Sequence, residues 1–129
     1  MVPALERPID LADMVAYAGA TWDWHRLHYD RDYLDARGLP APVVDGQVLG
    51  ALLVETVQDW LGPGWRTARL TFRLTEMVFA GERVRCEGAV AAADERRVSC
   101  GMTVVVVGDG GSAARTAVAG ATVDLVRRL

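Results

Sequence analysis

The clearest pattern in the chain is a four-turn apolar segment near its middle. The residues GQVLGALLVETVQDWL, from Gly46 to Leu61, are almost continuously apolar, and the polar side chains Glu55, Gln58 and Asp59 come only in its later part. A helix that is apolar around most of its circumference belongs in a core. The segment therefore predicts a buried central helix.

Two shorter helices are predicted upstream. Asp10 can accept from the free amides of a first turn, and apolar residues recur with helical spacing over Leu11–Gly19. Asp30 can cap a second short helix that runs through Leu34 and stops at Gly38, because glycine suits the left-handed position after a helix end. The front half of the chain is thus predicted to be mostly helical.

Beyond the Gly62-Pro63-Gly64 turn the pattern changes to alternating and β-branched residues. Such runs, separated by glycine, aspartate or charged turns, predict strands. The predicted strands are Ala68–Leu74, Arg83–Ala92, Val98–Val107 and Thr116–Leu125. Four strands and one buried helix predict a single α+β domain over residues 1–129, with a sheet wrapped around a long central helix.

One predicted strand is apolar on both faces. Thr103–Val107 reads TVVVV, which a strand buried on one side only would not need. We expect part of its outer face to pack against something else, most simply through a homodimer or a dimer of related chains whose sheets join edge to edge. The alternative is that the N-terminal segment of the same chain covers it.

Composition and charge narrow the possible partners. The sequence is 51% hydrophobic and 24% charged, and its net charge of −3 comes from interspersed signs without a basic block. Nucleic acid is therefore not an expected partner. The first ten residues are charged where a signal peptide needs an apolar core, and no apolar run could span a bilayer, so we expect a cytoplasmic protein without membrane association. Cys86 and Cys100 lie in strand-like runs and are interpreted as structural thiols.

Candidate chemistry concentrates in one short segment. The only two histidines, His25 and His28, lie with Asp23 in the sequence WDWHRLHYD. Imidazole titrates near neutrality, and a carboxylate beside it can orient the ring, so the pair suits general acid/base catalysis. A loop in which the aspartates only cap turns is the alternative. No metal site is predicted, because two histidines and one aspartate form an incomplete ligand set.

The same residues resemble a known family. Gly19 through Asp23, then His28-Tyr29-Asp30 and Val44-Asp45-Gly46-Gln47, are similar to the MaoC-like dehydratases, which include the (R)-specific enoyl-CoA hydratases. The run from His25 to Asp30 is especially similar to a branch with 3-hydroxyacyl thioester dehydratases. The resemblance implies a hot-dog fold, in which an antiparallel sheet wraps the central helix.

The resemblance also implies roles for individual residues. Asp23 and His28 fall on the two catalytic positions, and the Gly46 amide would bind the thioester carbonyl. Together they would add water to a 2-enoyl thioester, or remove it from a 3-hydroxyacyl thioester, carried by coenzyme A or an acyl carrier protein. No cofactor is required, because the thioester supplies the electron sink.

Three further positions are expected to bind substrate, namely His25, Arg26 and Asp45. His25 stands where the family has asparagine, and Asp45 stands where it has histidine. A carboxylate at a helix N-terminus competes with a developing oxyanion for the same positive field. We therefore expect Asp45 to turn to solvent or to a nearby arginine.

Two other functions remain open at the level of sequence. A hot-dog thioesterase would use Glu55 or Asp59 on the central helix as its base. A non-catalytic acyl-binding subunit would instead pair with an active partner, although such a subunit need not keep both Asp23 and His28.

Overall fold

In the computed structural model, which describes all residues 1–129, three helices and five strands surround one hydrophobic core. In chain order they are β1 (Val2–Pro8), α1 (Leu11–Thr21), α2 (Arg31–Ala36), α3 (Gly46–Leu61), β2 (Trp65–Thr71), β3 (Arg83–Ala93), β4 (Arg97–Val107) and β5 (Ala113–Arg127). The strands form a single antiparallel sheet in the order β1-β3-β4-β5-β2, which curls around α3. The predicted α+β hot-dog architecture is confirmed.

The helices begin at the aspartates that the sequence indicates. Asp10 accepts a hydrogen bond from the Asp13 amide in a reciprocal capping box, and Asp30 accepts one from the Tyr33 amide. Helix α1 extends two residues beyond the predicted end, because the left-handed turn that stops it falls at Trp22, with φ 58°. Gly38 has φ +66° and follows α2 as predicted.

Helix α3 begins and ends where the sequence predicts and fills the concave side of the sheet. Leu49, Leu53 and Val57 lie one turn apart and are fully buried. Burying one such side chain stabilises the fold by roughly 1.5–3 kcal/mol. A second face of α3 carries Gly50, where a Cβ atom would lie 2.6 Å from the Phe72 ring. Glycine there lets the segment after β2 pack directly on the helix.

Strand β1 is absent from the sequence prediction. Its residues VPALERP hold two prolines and two charges, which argue against a central strand. At the edge of a sheet, however, one side of the strand needs no ladder hydrogen bonds, and β1 pairs only with β3. Arg7 ties this edge to α3 by donating two hydrogen bonds, of 2.7 and 3.0 Å, to Glu55.

The other strands agree with prediction apart from their ends. Strand β2 lies three residues earlier than the predicted Ala68–Leu74, because the turn at Gly62 already brings Trp65 opposite Arg127. After Thr71 the chain leaves the sheet and returns only at Leu74, in an isolated bridge to Val118. Strand β5 is five residues longer than predicted.

Thr103–Val107 is not itself an edge at which two sheets could join. These residues belong to β4, whose edges are occupied by β3 and β5. The alternative cover is wrong, because the N-terminal segment pairs with β3. Val104 and Val106 point into the core, and Val105 is buried on the opposite face of β4. The apolar run thus reflects burial on both faces of the strand, and a dimer joined at another edge of the sheet stays a prediction.

The remaining expectations concern the cysteines and membranes. Cys86 and Cys100 are free, buried thiols, as predicted, and burial raises the pKa of Cys86 to about 11. A thiol that stays protonated is a poor nucleophile. None of the three helices is both long and apolar enough to cross a membrane.

Candidate active site

Asp23 is placed by the end of α1. The left-handed conformation of Trp22 reverses the chain, and the Asp23 amide donates to the Ala18 carbonyl at 3.1 Å. The carboxylate then projects beside the helix, where it also accepts from the His25 amide at 3.4 Å.

His28 is held by a backbone carbonyl. Its ring ends a short 3-10 turn, and Nδ1 lies 2.6 Å from the carbonyl oxygen of Val43. A carbonyl can only accept, so Nδ1 carries the hydrogen and, in the neutral ring, Nε2 carries the lone pair. The side chain is 14% exposed, and Nε2 lies 3.7 Å from Asp23 Oδ2. The ring is thereby fixed with its basic nitrogen toward the carboxylate.

Asp45 reaches the same place from the start of α3. Its Oδ1 caps the helix by accepting from the Gln47 amide at 2.9 Å. Its Oδ2 lies 4.0 Å from His28 Nε2, is buried, and has no hydrogen-bond partner. The expectation that Asp45 turns to solvent or to an arginine is wrong. The preceding segment is fixed, since Val44 donates to Val78 at 2.8 Å, and a capping aspartate there must aim its second oxygen at His28.

The three side chains enclose a small cleft. Their facing oxygen and nitrogen atoms all lie within 4.8 Å of one another. Separations of 3.7 and 4.0 Å are too long for direct hydrogen bonds but suit a bridging water. The cleft offers about 10 Å³ to the centre of a water-sized group, roughly the space that one water needs. It is lined by Met14, Tyr17, Ala18, Asp23, His28, Asp45 and Val48.

The two carboxyl groups have opposite pKa shifts. Burial, and then the neighbouring Asp23, raise the pKa of Asp45. The neighbouring Asp45 carboxyl, and then the hydrogen bond from the His25 amide, hold the pKa of Asp23 below its usual range. Two ionised carboxylates cannot bond to each other, whereas a proton on Asp45 would supply a donor. Of the two carboxyls, Asp23 is thus the one whose ionised form is favoured.

The other predicted site residues lie outside the cleft. His25 Nδ1 accepts from the Leu27 amide at 3.1 Å, so this ring caps the turn that carries His28. Arg26 is 59% exposed and donates to Asp30 at 2.7 Å. The structure thus brings Asp23, His28 and Asp45 together but leaves these two on the outer side of the turn.

Gly46 is the first residue of α3 and lies beside the cleft, but a side chain covers it. A Cβ atom at Gly46 would come within 2.3 Å of Leu74 Cδ1. Neither Leu74 nor the cleft residue Tyr17 is identified from the sequence as part of the site. The position of Tyr17 could have been predicted from the sequence, since it lies three residues after Met14 and therefore on the same inner face of α1.

The same cluster meets the geometric requirement for a cation. Two carboxylates and one imidazole within 4.8 Å of one another can supply three ligands to a divalent metal. The sequence analysis did not include Asp45 in this cluster, because its side chain was expected to face away.

The sequence matches the MaoC like domain family over residues 2–111. The chain belongs to this family. No curated protein matches the chain.

Solved structures of MaoC-like proteins have the same fold. A chain of the ChsH1-ChsH2 complex from Mycobacterium tuberculosis is 27% identical, with a TM-score of 0.85 over 98% of this chain and 94% of that one. The (R)-hydratase from A. caviae involved in PHA biosynthesis is 25% identical, with a TM-score of 0.77 over 95% and 91%. The R-hydratase PhaJ1 from Pseudomonas aeruginosa is 20% identical and has a TM-score of 0.83 over 97% and 78%, a likeness of fold alone.

The raised pKa of Asp45 predicts how stability depends on pH. The folded state keeps the Asp45 proton at pH values where the unfolded chain has lost it, so this group's contribution to stability falls as the pH rises through the raised pKa. Asp45→Asn keeps an oxygen for the Gln47 amide and cannot ionise. We expect its free energy of unfolding, measured in urea between pH 4 and pH 8, to exceed that of the unsubstituted protein at the upper end and to approach it at the lower end.

Asp59→Asn is the matched control, because Asp59 is exposed on the same helix. The same pH dependence in the Asp45→Asn variant and in the unsubstituted protein would contradict the prediction.

Proposed function

We propose that this protein is a hydratase/dehydratase that interconverts a 2-enoyl thioester and a 3-hydroxyacyl thioester. The observation that carries the proposal is the separation of 3.7 Å between Asp23 Oδ2 and His28 Nε2 in a water-sized cleft at the N-terminus of α3. An acid/base pair and free helix amides are the two elements that hydration of an enoyl thioester needs. Membership of the MaoC-like family supports the same chemistry.

In the hydration direction, one water lies between Asp23 and His28. Asp23 accepts a proton from the water as the water oxygen bonds to C3, and the second water hydrogen stays on the new C3 hydroxyl. Asp23 then delivers the proton it accepted to C2, so the site returns to its starting state. Dehydration runs the same steps backwards. Such acid/base catalysis contributes on the order of 10²–10⁴-fold.

The thioester carbonyl receives charge when water adds to C3. The Gly46 amide at the first position of α3 is unpaired within the helix and points along the positive end of its dipole. A donor aimed at a developing oxyanion contributes about 10²–10³-fold. Leu74 lies over Gly46, so the bound substrate displaces its half-exposed side chain.

We propose that the outer side of the 3-10 turn that carries His28 binds the carrier portion of the substrate. His25 and Arg26 are exposed there, away from the reacting atoms. A guanidinium suits a phosphate of coenzyme A or of a phosphopantetheine group. Arg26 would have to exchange its Asp30 partner for that phosphate.

The competing functions have weaker support. Glu55, one candidate base for a thioesterase, accepts hydrogen bonds from both terminal nitrogens of the Arg7 guanidinium. Asp59, the other, is exposed on α3 and does not line the cleft. A non-catalytic subunit has no need to align Asp23 with His28 and to fix the imidazole tautomer. Hydration accounts for both features.

We propose that two such chains, identical or related, pair through β2. Of the two edge strands, β1 contains Pro3 and Pro8, which cannot donate to a ladder, whereas β2 has no proline and one unpaired edge. Two structural neighbours from Mycobacterium tuberculosis, ChsH1-ChsH2 and HadBC, are complexes.

The first test of the function uses crotonyl-coenzyme A. Loss of the enoyl absorbance should be observed, and Asp23→Asn and His28→Ala should each lower kcat by roughly 10²-fold or more, because each removes a group that contacts the water. His25→Ala is the comparison variant and should have the smaller effect on kcat, since His25 does not line the cleft. If His25→Ala lowers kcat more than His28→Ala does, the assignment of roles is wrong.

The second test concerns the Gly46 amide. Gly46→Val should abolish turnover, since the added side chain fills the position of the carbonyl. The same side chain also collides with Leu74, so the double variant Gly46→Val/Leu74→Ala is needed to relieve that clash. We expect the double variant to fold and to stay inactive, while Leu74→Ala alone stays active. Turnover by the folded double variant would exclude the carbonyl site.

The third test concerns the dimer. Ala68 in β2 and Ala4 in β1 are both exposed and both lie at register shifts, without a partner on the neighbouring strand. Proline at either position removes an amide hydrogen and fixes φ, and it breaks no ladder hydrogen bond of the register within the chain. Sedimentation should show a dimer that Ala68→Pro dissociates and Ala4→Pro preserves. A monomer at micromolar concentration, or equal effects of both variants, would contradict pairing through β2.

A further inference from the structure

One buried group in the cleft has no part in the steps above. Asp45 Oδ2 is shielded from solvent, lacks a hydrogen-bond partner, and faces Asp23 and His28. Its other oxygen already caps α3, and helix capping requires only one oxygen of an aspartate. A carboxylate oxygen without a partner at such a place is costly unless it carries a proton.

We propose that Asp45 is a positioning residue that shares one proton with Asp23, holding it as a carboxylic acid whose O–H donates to the Asp23 carboxylate. The proposal deepens the hydratase function and rests on it. With the proton on Asp45, the unpartnered oxygen gains a bond and Asp23 stays ionised as the base.

The surroundings of Asp45 favour this arrangement. Asp23 and His28 face it from the segment after α1, and Tyr17 faces it from α1 itself. The Tyr17 hydroxyl donates to Gln47 at 3.4 Å, so it is directed to that amide. No arginine forms an ion pair with Asp45 or Asp23. Asp23 is the more exposed of the two carboxyls, so the negative charge is better hydrated there. The opposite pKa shifts of the two carboxyls agree with this assignment.

The shared proton has a consequence for catalysis. Below the acid limb of the pH profile both carboxyls are protonated and the base is lost. At high pH Asp45 also ionises, and a second negative charge then lies one residue from the Gly46 amide, where it opposes the oxyanion. The competent state holds one proton, so kcat/KM should have an acid limb and an alkaline limb.

Two substitutions separate proton sharing from helix capping. Asp45→Asn keeps the cap and retains an N–H donor for Asp23, but cannot ionise. Asp45→Ser keeps the cap, but its short side chain cannot reach Asp23. The pH profile of kcat/KM is measured for both variants and for the unsubstituted protein, with crotonyl-coenzyme A as substrate.

We expect Asp45→Asn to keep the acid limb in place, to lose the alkaline limb, and to remain within about threefold of full activity at the optimum. In Asp45→Ser the acid limb should move to higher pH, because Asp23 loses its donor, and activity near that limb should fall about tenfold. Identical acid limbs in the two variants would show that Asp45 only caps the helix. An alkaline limb that persists in Asp45→Asn would also overturn the proposal.

A second measurement does not depend on turnover. Aspartate labelled with ¹³C at the carboxyl reports each ionisation by NMR. One signal, absent in Asp45→Asn, should titrate above the other aspartates and move toward them in Asp23→Asn. If it titrates with exposed aspartates such as Asp59, no proton is shared. If it behaves as expected but no thioester is hydrated, the proton sharing stands and the hydratase function fails.

Discussion

The site depends on the hydrogen bond between His28 Nδ1 and the Val43 carbonyl, at 2.6 Å. Val43 also donates its backbone amide to the Leu27 carbonyl at 2.9 Å. Two hydrogen bonds thus join the turn that carries His28 to the segment that precedes α3. One bond sets the tautomer of the imidazole and the other sets the distance between the two segments. Without this clamp, Asp23 and His28 would have no fixed relation to the helix N-terminus.

The clamp in turn rests on the core. Val43 and Val44 are buried, and Val44 is bonded to Val78 in the connection before β3. Helix α3 cannot rotate to move Asp45 or Gly46, because Leu49 and Leu53 are packed against the sheet only one and two turns later. Well-packed interiors yield little to small forces. The sheet thus holds an unsatisfied carboxyl oxygen in a cleft from which a looser structure would release it.

Much of the fold was predictable because local signals and tertiary packing agree. For α3 the aspartate cap, the apolar run and Gly62 all indicate the same bounds. For β1 they conflict, since Pro3 and Pro8 argue against a strand, and only the edge position resolves the conflict. The run at Thr103–Val107 shows a different limit. Apolarity on both faces indicates that a strand is covered on both faces, but it does not say where the strand lies in the sheet or what covers its outer face.

The candidate site was likewise predictable in its local features and not in those that depend on tertiary packing. The composition of the segment from Asp23 to His28, together with the family resemblance, was enough to predict the pair, because both residues lie in one short turn. Asp45 was placed correctly at the helix N-terminus but given the wrong orientation. A cap fixes only one carboxyl oxygen, and the direction of the second depends on where His28 lies, in a separate segment earlier in the chain. Sequence-local reasoning has no access to that direction.

Access to Gly46 is controlled by the side chain of Leu74, which can move while the backbone stays in place. Leu74 covers Gly46 from the connection that follows β2, where its backbone is fixed by the bridge to Val118 and its side chain is 48% exposed. Rotamer changes of an exposed leucine take picoseconds to nanoseconds, whereas a backbone rearrangement of the connection would be far slower. In the proposed function, exposing Gly46 to a thioester therefore requires only a rotamer change of Leu74. The backbone that positions Asp23, His28 and Asp45 stays in place, and the side chain proposed to give way to the substrate is free to move.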